Sequence, residues 1–409
     1  MPERKNPFLR EETYARTRKS VEAASTLAPA AYYDEEFYAL EQQQVFARNW
    51  VAAGPASRVQ NPGDIMLADI AGVSLIITRD DAGELRAFHN VCRHRGARLC
   101  AADGAGHKRI VCPYHGWGYN LRGECIGTPL FDKGANRRAV QMHDMSHLKS
   151  FDRKDFGLIP ARAAQWGMMI FACLDETAPP LSEVIGDLPR RLQNYRLEEW
   201  REIGEREYDI QCNWKLLVEN AVEYYHLPWV HPRLAKTSRI ADHHRWQGAG
   251  MYCGISTSPV TATDDSGWLS MKNISGLSAE EKISGYFFGL FPNLVIFIMP
   301  SHAFIIHARP RGPSRTVEKA WLVAHPECTD GMPAAARREV LDFWHEVNLE
   351  DVGICERVQQ GLSQSGYPGG RMCYHFEEPV HRFQNMVIDA MVGKRRVPPG
   401  DKSAPDIAA

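Results

Sequence analysis

No apolar run in this sequence approaches membrane-span length, so no segment reads as a transmembrane helix. Basic residues do not cluster either. Lys and Arg number 48 against 50 Asp and Glu, giving a net charge of −2. Nucleic-acid binding therefore has no electrostatic support. The first twenty residues, MPERKNPFLREETYARTRKS, are charged throughout and lack the apolar core of a signal peptide. Ten cysteines in 409 residues are too few for a disulfide scaffold. A soluble cytoplasmic protein is expected, with its thiols reduced or metal-bound. Cys100 and Cys125 lie near a motif described below, but for them, as for most of the others, a buried small apolar side chain is the default reading. No G-x-G-x-x-G follows a strand and no flavin signature occurs, so tightly bound NAD or flavin is not expected.

What is present is a long chain, 44% hydrophobic and 24% charged, enough for two domains with real cores. Residues 1–48 are polar, with a helical pattern from about Asp34 to Asn49. They read as a surface arm ending in a helix that packs on a later domain. From Trp50 the apolar runs become short and β-branched (Ile65–Leu67, Val73–Thr78, Leu85–Val91, Arg109–Val111), punctuated by Asn61-Pro62-Gly63, Asp81-Ala82-Gly83 and Asp103-Gly104. That texture predicts a small antiparallel β domain over 49–165.

Two hairpin tips of that domain carry Cys92-x-His94 and Cys112-x2-His115. Two Cys and two His could hold zinc. They could also hold a [2Fe–2S] cluster with two Cys on one iron and two His on the other. The order favours the cluster: each loop gives one Cys and one His, so each loop can reach both irons. Gly96, Pro113, Gly116 and Gly118 are read as tight turns that leave N–H groups free to face sulfur.

The second chemical stretch is Asn213–His231, NWKLLVENAVEYYHLPWVH. Apolar residues at helical spacing predict a helix to Leu227, with Glu219, Glu223 and His226 on one face. Pro228 is expected to end it, leaving His226 at the helix end and His231 on the returning chain. Two imidazoles and a nearby acid are candidates for a mononuclear iron site whose third ligand comes from elsewhere. Short strands are expected at Met251–Ser256, Phe287–Leu290, Leu294–Met299, Ala303–Ala308 and Lys319–Ala324. Leu269–Ser284 reads as a lid-like loop and Pro333–Leu362 as the strongest helix. A catalytic domain over 166–392 and a disordered tail over 393–409 complete the division.

Taken together, Cys92-x-His94, Cys112-Pro113-x-His115-Gly116-Trp117, Asn213-Trp214-Lys215 and the His226/His231 pair resemble the catalytic α subunit of the Rieske non-haem iron oxygenases. The resemblance implies an α+β fold: a small β-rich Rieske domain inserted in a larger helix-grip domain with an antiparallel sheet. It implies one [2Fe–2S] cluster and one mononuclear Fe(II) per chain, and makes Asp351 the third iron ligand, completing a two-His, one-carboxylate triad.

It also implies that Glu223, where most members have Asp, bridges to a cluster-ligand His of a neighbouring subunit in a head-to-tail homotrimer. The spacing Asn220-x2-Glu223-x2-His226 resembles the branch that oxidises quaternary ammonium and N-methyl compounds. A separate reductase would supply electrons, and hydroxylation beside nitrogen would lead to demethylation or C–N cleavage. Hydroxylation or cis-dihydroxylation of an arene is the alternative, and an electron carrier without turnover the second. Tyr225, Trp229, Trp268, Phe291 and Phe297 are the aromatic candidates for a cage around an ammonium head.

Overall fold

The computed structural model describes residues 6–131, 150–236, 238–260 and 271–396. The chain divides into two compact units: Ala53–Ala178, and the flanking segments Met1–Ala52 with Pro179–Ala409. The first is thus an insertion in the second along the chain.

The inserted unit is all-β. One sheet runs in the order β1 (Val51–Pro55), β9 (Met169–Cys173), β8 (Pro160–Trp166), β4 (Leu85–His89), β3 (Val73–Arg79) and β2 (Ile65–Ile70). A second holds β5 (Ile110–Val111), β6 (Gly118–Tyr119) and β7 (Cys125–Gly127). The unit ends at Ala178, not at 165. The reason is pairing: β9 lies antiparallel against β8 from Arg162↔Cys173 to Trp166↔Met169. All five β9 side chains are buried, so the run read as a first catalytic strand closes the small unit instead.

The larger unit is built on seven antiparallel strands in the order β10 (Arg201–Ile210), β16 (Arg315–Ala324), β15 (His302–Gly312), β14 (Leu294–Ile298), β13 (Gly285–Leu290), β12 (Tyr252–Thr257) and β11 (His243–Arg245). Every residue of central β14 is buried, as expected of a strand covered on both faces. The helices Trp214–Ala221, Ala334–Leu362 and Tyr374–Met391 pack against this sheet and one another. Gly289 lets the first of them approach: a Cβ there would meet Val222 and Val218 at 3.0 and 3.1 Å.

The amino-terminal arm is tied into the same unit. Asp34 caps the Glu35–Glu41 helix by accepting from Glu36 and Phe37 N–H. Glu41 then meets Lys215 at 2.5 Å, both side chains fully buried. A buried pair of this kind survives only because each charge is matched. Here the rings of Tyr32, Phe37 and Trp214 also lie 5.1–5.3 Å from the ammonium. The helix Tyr374–Met391 had no counterpart in the sequence reading. Pro379 sits inside it, beside non-helical Glu377, and a proline there erases the periodic signal. Among the described residues no helix is long and apolar enough to cross a membrane.

Candidate metal centres and pocket

The two Cys/His loops of the inserted unit share one backbone design. Cys92 N–H donates to Ala97 O and Gly96 N–H to Cys92 O; Cys112 N–H donates to Trp117 O and Gly116 N–H to Cys112 O. Gly96 (φ +73°) and Gly116 (φ +71°) hold left-handed turns that other residues adopt at a cost. Gly118, read as a third turn glycine, lies in β6 instead.

Cys92 and Cys112 are buried at 2% and 3% exposure. His94 and His115 lie further out, ring centroids 4.6 Å apart, and His94 stacks on Trp117 at 4.8 Å. Burial, and then the neighbouring Cys112, push the Cys92 thiol up, against the pull of a hydrogen bond from Tyr119. The Tyr119 hydroxyl accepts from Arg93 N–H at 3.1 Å and reaches Cys92 Sγ at 3.3 Å. Tyr119 escaped the sequence reading; its offset of seven from Cys112 is its sequence trace.

These residues fit a two-iron cluster. His94 Nδ1 is buried without a hydrogen-bond partner, which a metal bond would satisfy. Nor do the four converge on one ion. Among the described residues, the group of three or more possible ligands with atoms all within 4.8 Å is His226, His231 and Asp351. A single tetrahedral zinc would have drawn its four ligands just as close. All ten cysteines are free thiols, so Cys100 and Cys125 form no bridge.

In the larger unit, Asn213 caps its helix by accepting from Lys215 N–H at 3.0 Å, a contact worth about 1 kcal/mol. That helix stops at Ala221, short of Leu227. Pro228 begins a new helical turn, Leu227–Val230, with His226 and His231 as its two caps. Proline is at home there because a first-turn N–H has no partner to lose. The early stop also separates the acids: Glu219 is bound by Tyr32 and Gln384, away from Glu223.

Asp351, from the long Ala334–Leu362 helix, completes the group. Its Oδ1 lies 2.8 Å from His231 Nε2 and 3.6 Å from His226 Nε2. Each outer imidazole nitrogen has its own carboxylate. Glu223 Oε1 is 2.5 Å from His226 Nδ1, and Glu350 Oε2 is 2.6 Å from His231 Nδ1. This arrangement fixes ring orientation and leaves Nε2 to face a metal. Glu223 Oε2 accepts from the backbone N–H of Tyr225 and His226. Glu350 was seen in the sequence only as part of an acidic pattern. Burial opposes charge on His231, yet Asp351 and Glu350 outweigh it and raise the imidazole to about 9. A cluster that stabilises positive charge so strongly suits a divalent cation, which is the fit test for iron here.

A pocket of about 610 Å³, its open mouth included, adjoins the three ligands. Phe287, Phe297 and Trp344 line it, with ring centroids 5.0 Å (Phe287–Phe297) and 5.7 Å (Phe297–Trp344) apart. Of the aromatics named from sequence, Phe297 is in the lining. Phe291 is buried elsewhere, Tyr225 and Trp229 are 46% and 80% exposed, and Trp268 lies outside the described residues. Most of the expected lid, 271–284, is described, but 269–270 are not. His302, read as structural or surface, is fully buried and accepts from Trp344 Nε1–H at 2.8 Å, fixing that ring in the wall.

A family model described as the Rieske [2Fe–2S] domain matches residues 49–151, and one described as the ring-hydroxylating α subunit catalytic domain matches 197–393. The chain belongs to the Rieske non-haem iron oxygenases. As such it is an oxygenase that carries a Rieske cluster and a mononuclear iron. The glycine betaine monooxygenase oxygenase subunit of Pseudomonas aeruginosa is 26% identical, with 91% of each chain covered. The choline monooxygenase of Arabidopsis thaliana is 28% identical, covering 89% of this chain and 82% of its own. Two oxygenase structures share the fold. The quaternary ammonium Rieske monooxygenase CntA in complex with an inhibitor has a TM-score of 0.77 at 21% identity, covering 93% of this chain and 98% of its own. Naphthalene 1,2-dioxygenase has 0.71 at 22%, covering 92% and 95%.

Proposed function

We propose that this oxygenase hydroxylates a carbon next to nitrogen in a quaternary ammonium or N-methyl substrate. The carbinolamine so formed collapses to a demethylated amine and an aldehyde. One oxygen atom enters the C–H bond and the other leaves as water, with two electrons from a separate reductase and two protons. The observation that carries the reading is the aromatic wall of Phe287, Phe297 and Trp344 beside the His226/His231/Asp351 group. Ring faces attract an ammonium head, and the printed activities of the betaine and choline relatives point the same way.

In this reading Cys92 and Cys112 hold one cluster iron, His94 and His115 the other, and His226, His231 and Asp351 hold the mononuclear iron. When bound, the iron supplies O2 activation and the cluster supplies electrons. Glu223 and Glu350 hold the Nδ1–H of their histidines and so aim each Nε2. The buried pocket keeps water from the reacting carbon. Glu223 further serves as the link between centres at the junction of copies in a head-to-tail homotrimer working in the cytoplasm.

The test is single turnover of the pre-reduced holoenzyme with O2 against betaines, choline, carnitine and aromatic acids, read by mass spectrometry with a formaldehyde assay. Aldehyde with a demethylated amine is expected. A diol or phenol from the aromatic acids, with no ammonium product, would overturn the reading.

A further inference from the structure

The pocket has a second wall, made of Ser238, His243 and Thr257. His243 and Thr257 face each other across β11 and β12. Their protons can be assigned. His243 Nδ1 lies 2.8 Å from the backbone oxygen of Arg239, an acceptor only, so Nδ1 carries the hydrogen. Burial pulls this imidazole down to about 4, which leaves Nε2 bare as an acceptor. Ser238 Oγ, 3.1 Å away, therefore donates its one hydrogen to Nε2. With that hydrogen committed, Ser238 Oγ accepts from Thr257 Oγ1–H at 3.3 Å. Every hydroxyl hydrogen in the chain points along it. What remains for a ligand is hydroxyl lone pairs.

Charge points the same way. Among the described lining residues there is no Lys or Arg, and residues 261–270, TATDDSGWLS, contain none. Asn220 offers an amide to the cavity, but an amide cannot neutralise a carboxylate, and an unmatched buried charge is costly.

We propose that Ser238, Thr257 and His243 form an acceptor wall that takes a hydrogen-bond donor of the substrate, a hydroxyl or N–H group, and disfavours ammonium compounds ending in a carboxylate. This rests on the ammonium reading and narrows it. The aromatic wall holds the methylated head and the acceptor wall sorts substrates by their other end. No residue of the three is needed to hold metal, so substitutions here act on discrimination.

The experiment measures equilibrium binding by calorimetry to the anaerobic holoenzyme, with kcat/KM alongside. Three trimethylammonium compounds differ only at one end: 2-hydroxyethyl, carboxymethyl and propyl. The hydroxyl compound is expected to bind at least about tenfold more tightly than the carboxylate. Thr257→Val should cut its advantage over the propyl compound by about fivefold. Thr257→Ser, which keeps the hydroxyl, should restore it and so separates recognition from folding. Tighter binding of the carboxylate, or an advantage that does not move in Thr257→Val, overturns the acceptor wall and leaves the ammonium reading standing. Failure of all three compounds to bind, with an aromatic acid binding instead, overturns both.

Discussion

The two metal-binding regions are assembled in opposite ways. All four cluster ligands come from one stretch, Cys92–His115, folded as two loops with the same backbone hydrogen bonds. The mononuclear group takes two histidines from one turn and an acid 120 residues further on. The first site is held by its own loops. The second exists only when the long helix is seated on the sheet. A local site tolerates change elsewhere; a distant one inherits the stability of everything between its parts.

The strongest way to break this comparison is to remove one ligand from each side. Asp351→Ala should abolish turnover and drop iron from three to two per chain, with the cluster's visible absorption unchanged. Retention of the third iron would remove Asp351 from the ligand set. The reciprocal change, His94→Ala, should bleach the cluster while mononuclear iron still loads.

Smaller effects belong to the groups that aim the ligands. Glu350→Gln should weaken iron binding or activity by about 10–100-fold. Glu223→Gln should leave both metal centres filled yet lower turnover over a similar range. Equal turnover of Glu223→Gln and the unaltered protein would sink the linking role. Next comes His302→Leu, which leaves the buried Trp344 N–H unpaired at a cost of about 1–3 kcal/mol. Its KM should rise more than its kcat falls, since the ring it releases is pocket wall.

The smallest effect sharpens the seating of the long helix. Asn348 donates to Glu318, a fully buried acid, at 2.7 Å. Burial first, and then the charge of Asp351, push Glu318 up to about 8 against its hydrogen bond from Asn348. The folded chain therefore binds a proton that the unfolded chain, titrating near 4.5, releases earlier. Stability from this group is full below about 4.5 and is lost as pH rises towards 8. Metal-free protein should show that decline in its denaturation midpoint, and Glu318→Gln should flatten it.

Much of the fold was legible because it is periodic or punctuated. The β14 run LVIFI, the long helix from Ala334 and the turn glycines at 96 and 116 each carry a local signal. The misreadings share a cause: tertiary context overrode a local rule. The helix expected to reach Leu227 stops at Ala221, and Pro228 starts a turn where it was expected only to end one. Pro379 hid the last long helix. The strand at Met169 looks alike in either domain, and pairing alone assigns it.

The residue types and spacing of Cys92, His94, Cys112, His115, His226 and His231 could be read without coordinates, because metal ligands on short loops must be close in sequence. Tertiary structure decided which distant groups complete them. Glu350 beside His231, Tyr119 beside Cys92 and His302 behind Trp344 come from elements far apart along the chain. The direction of the hydroxyl hydrogens in the pocket was decided there too. No spacing encodes it, since it depends on one backbone carbonyl fixing one imidazole.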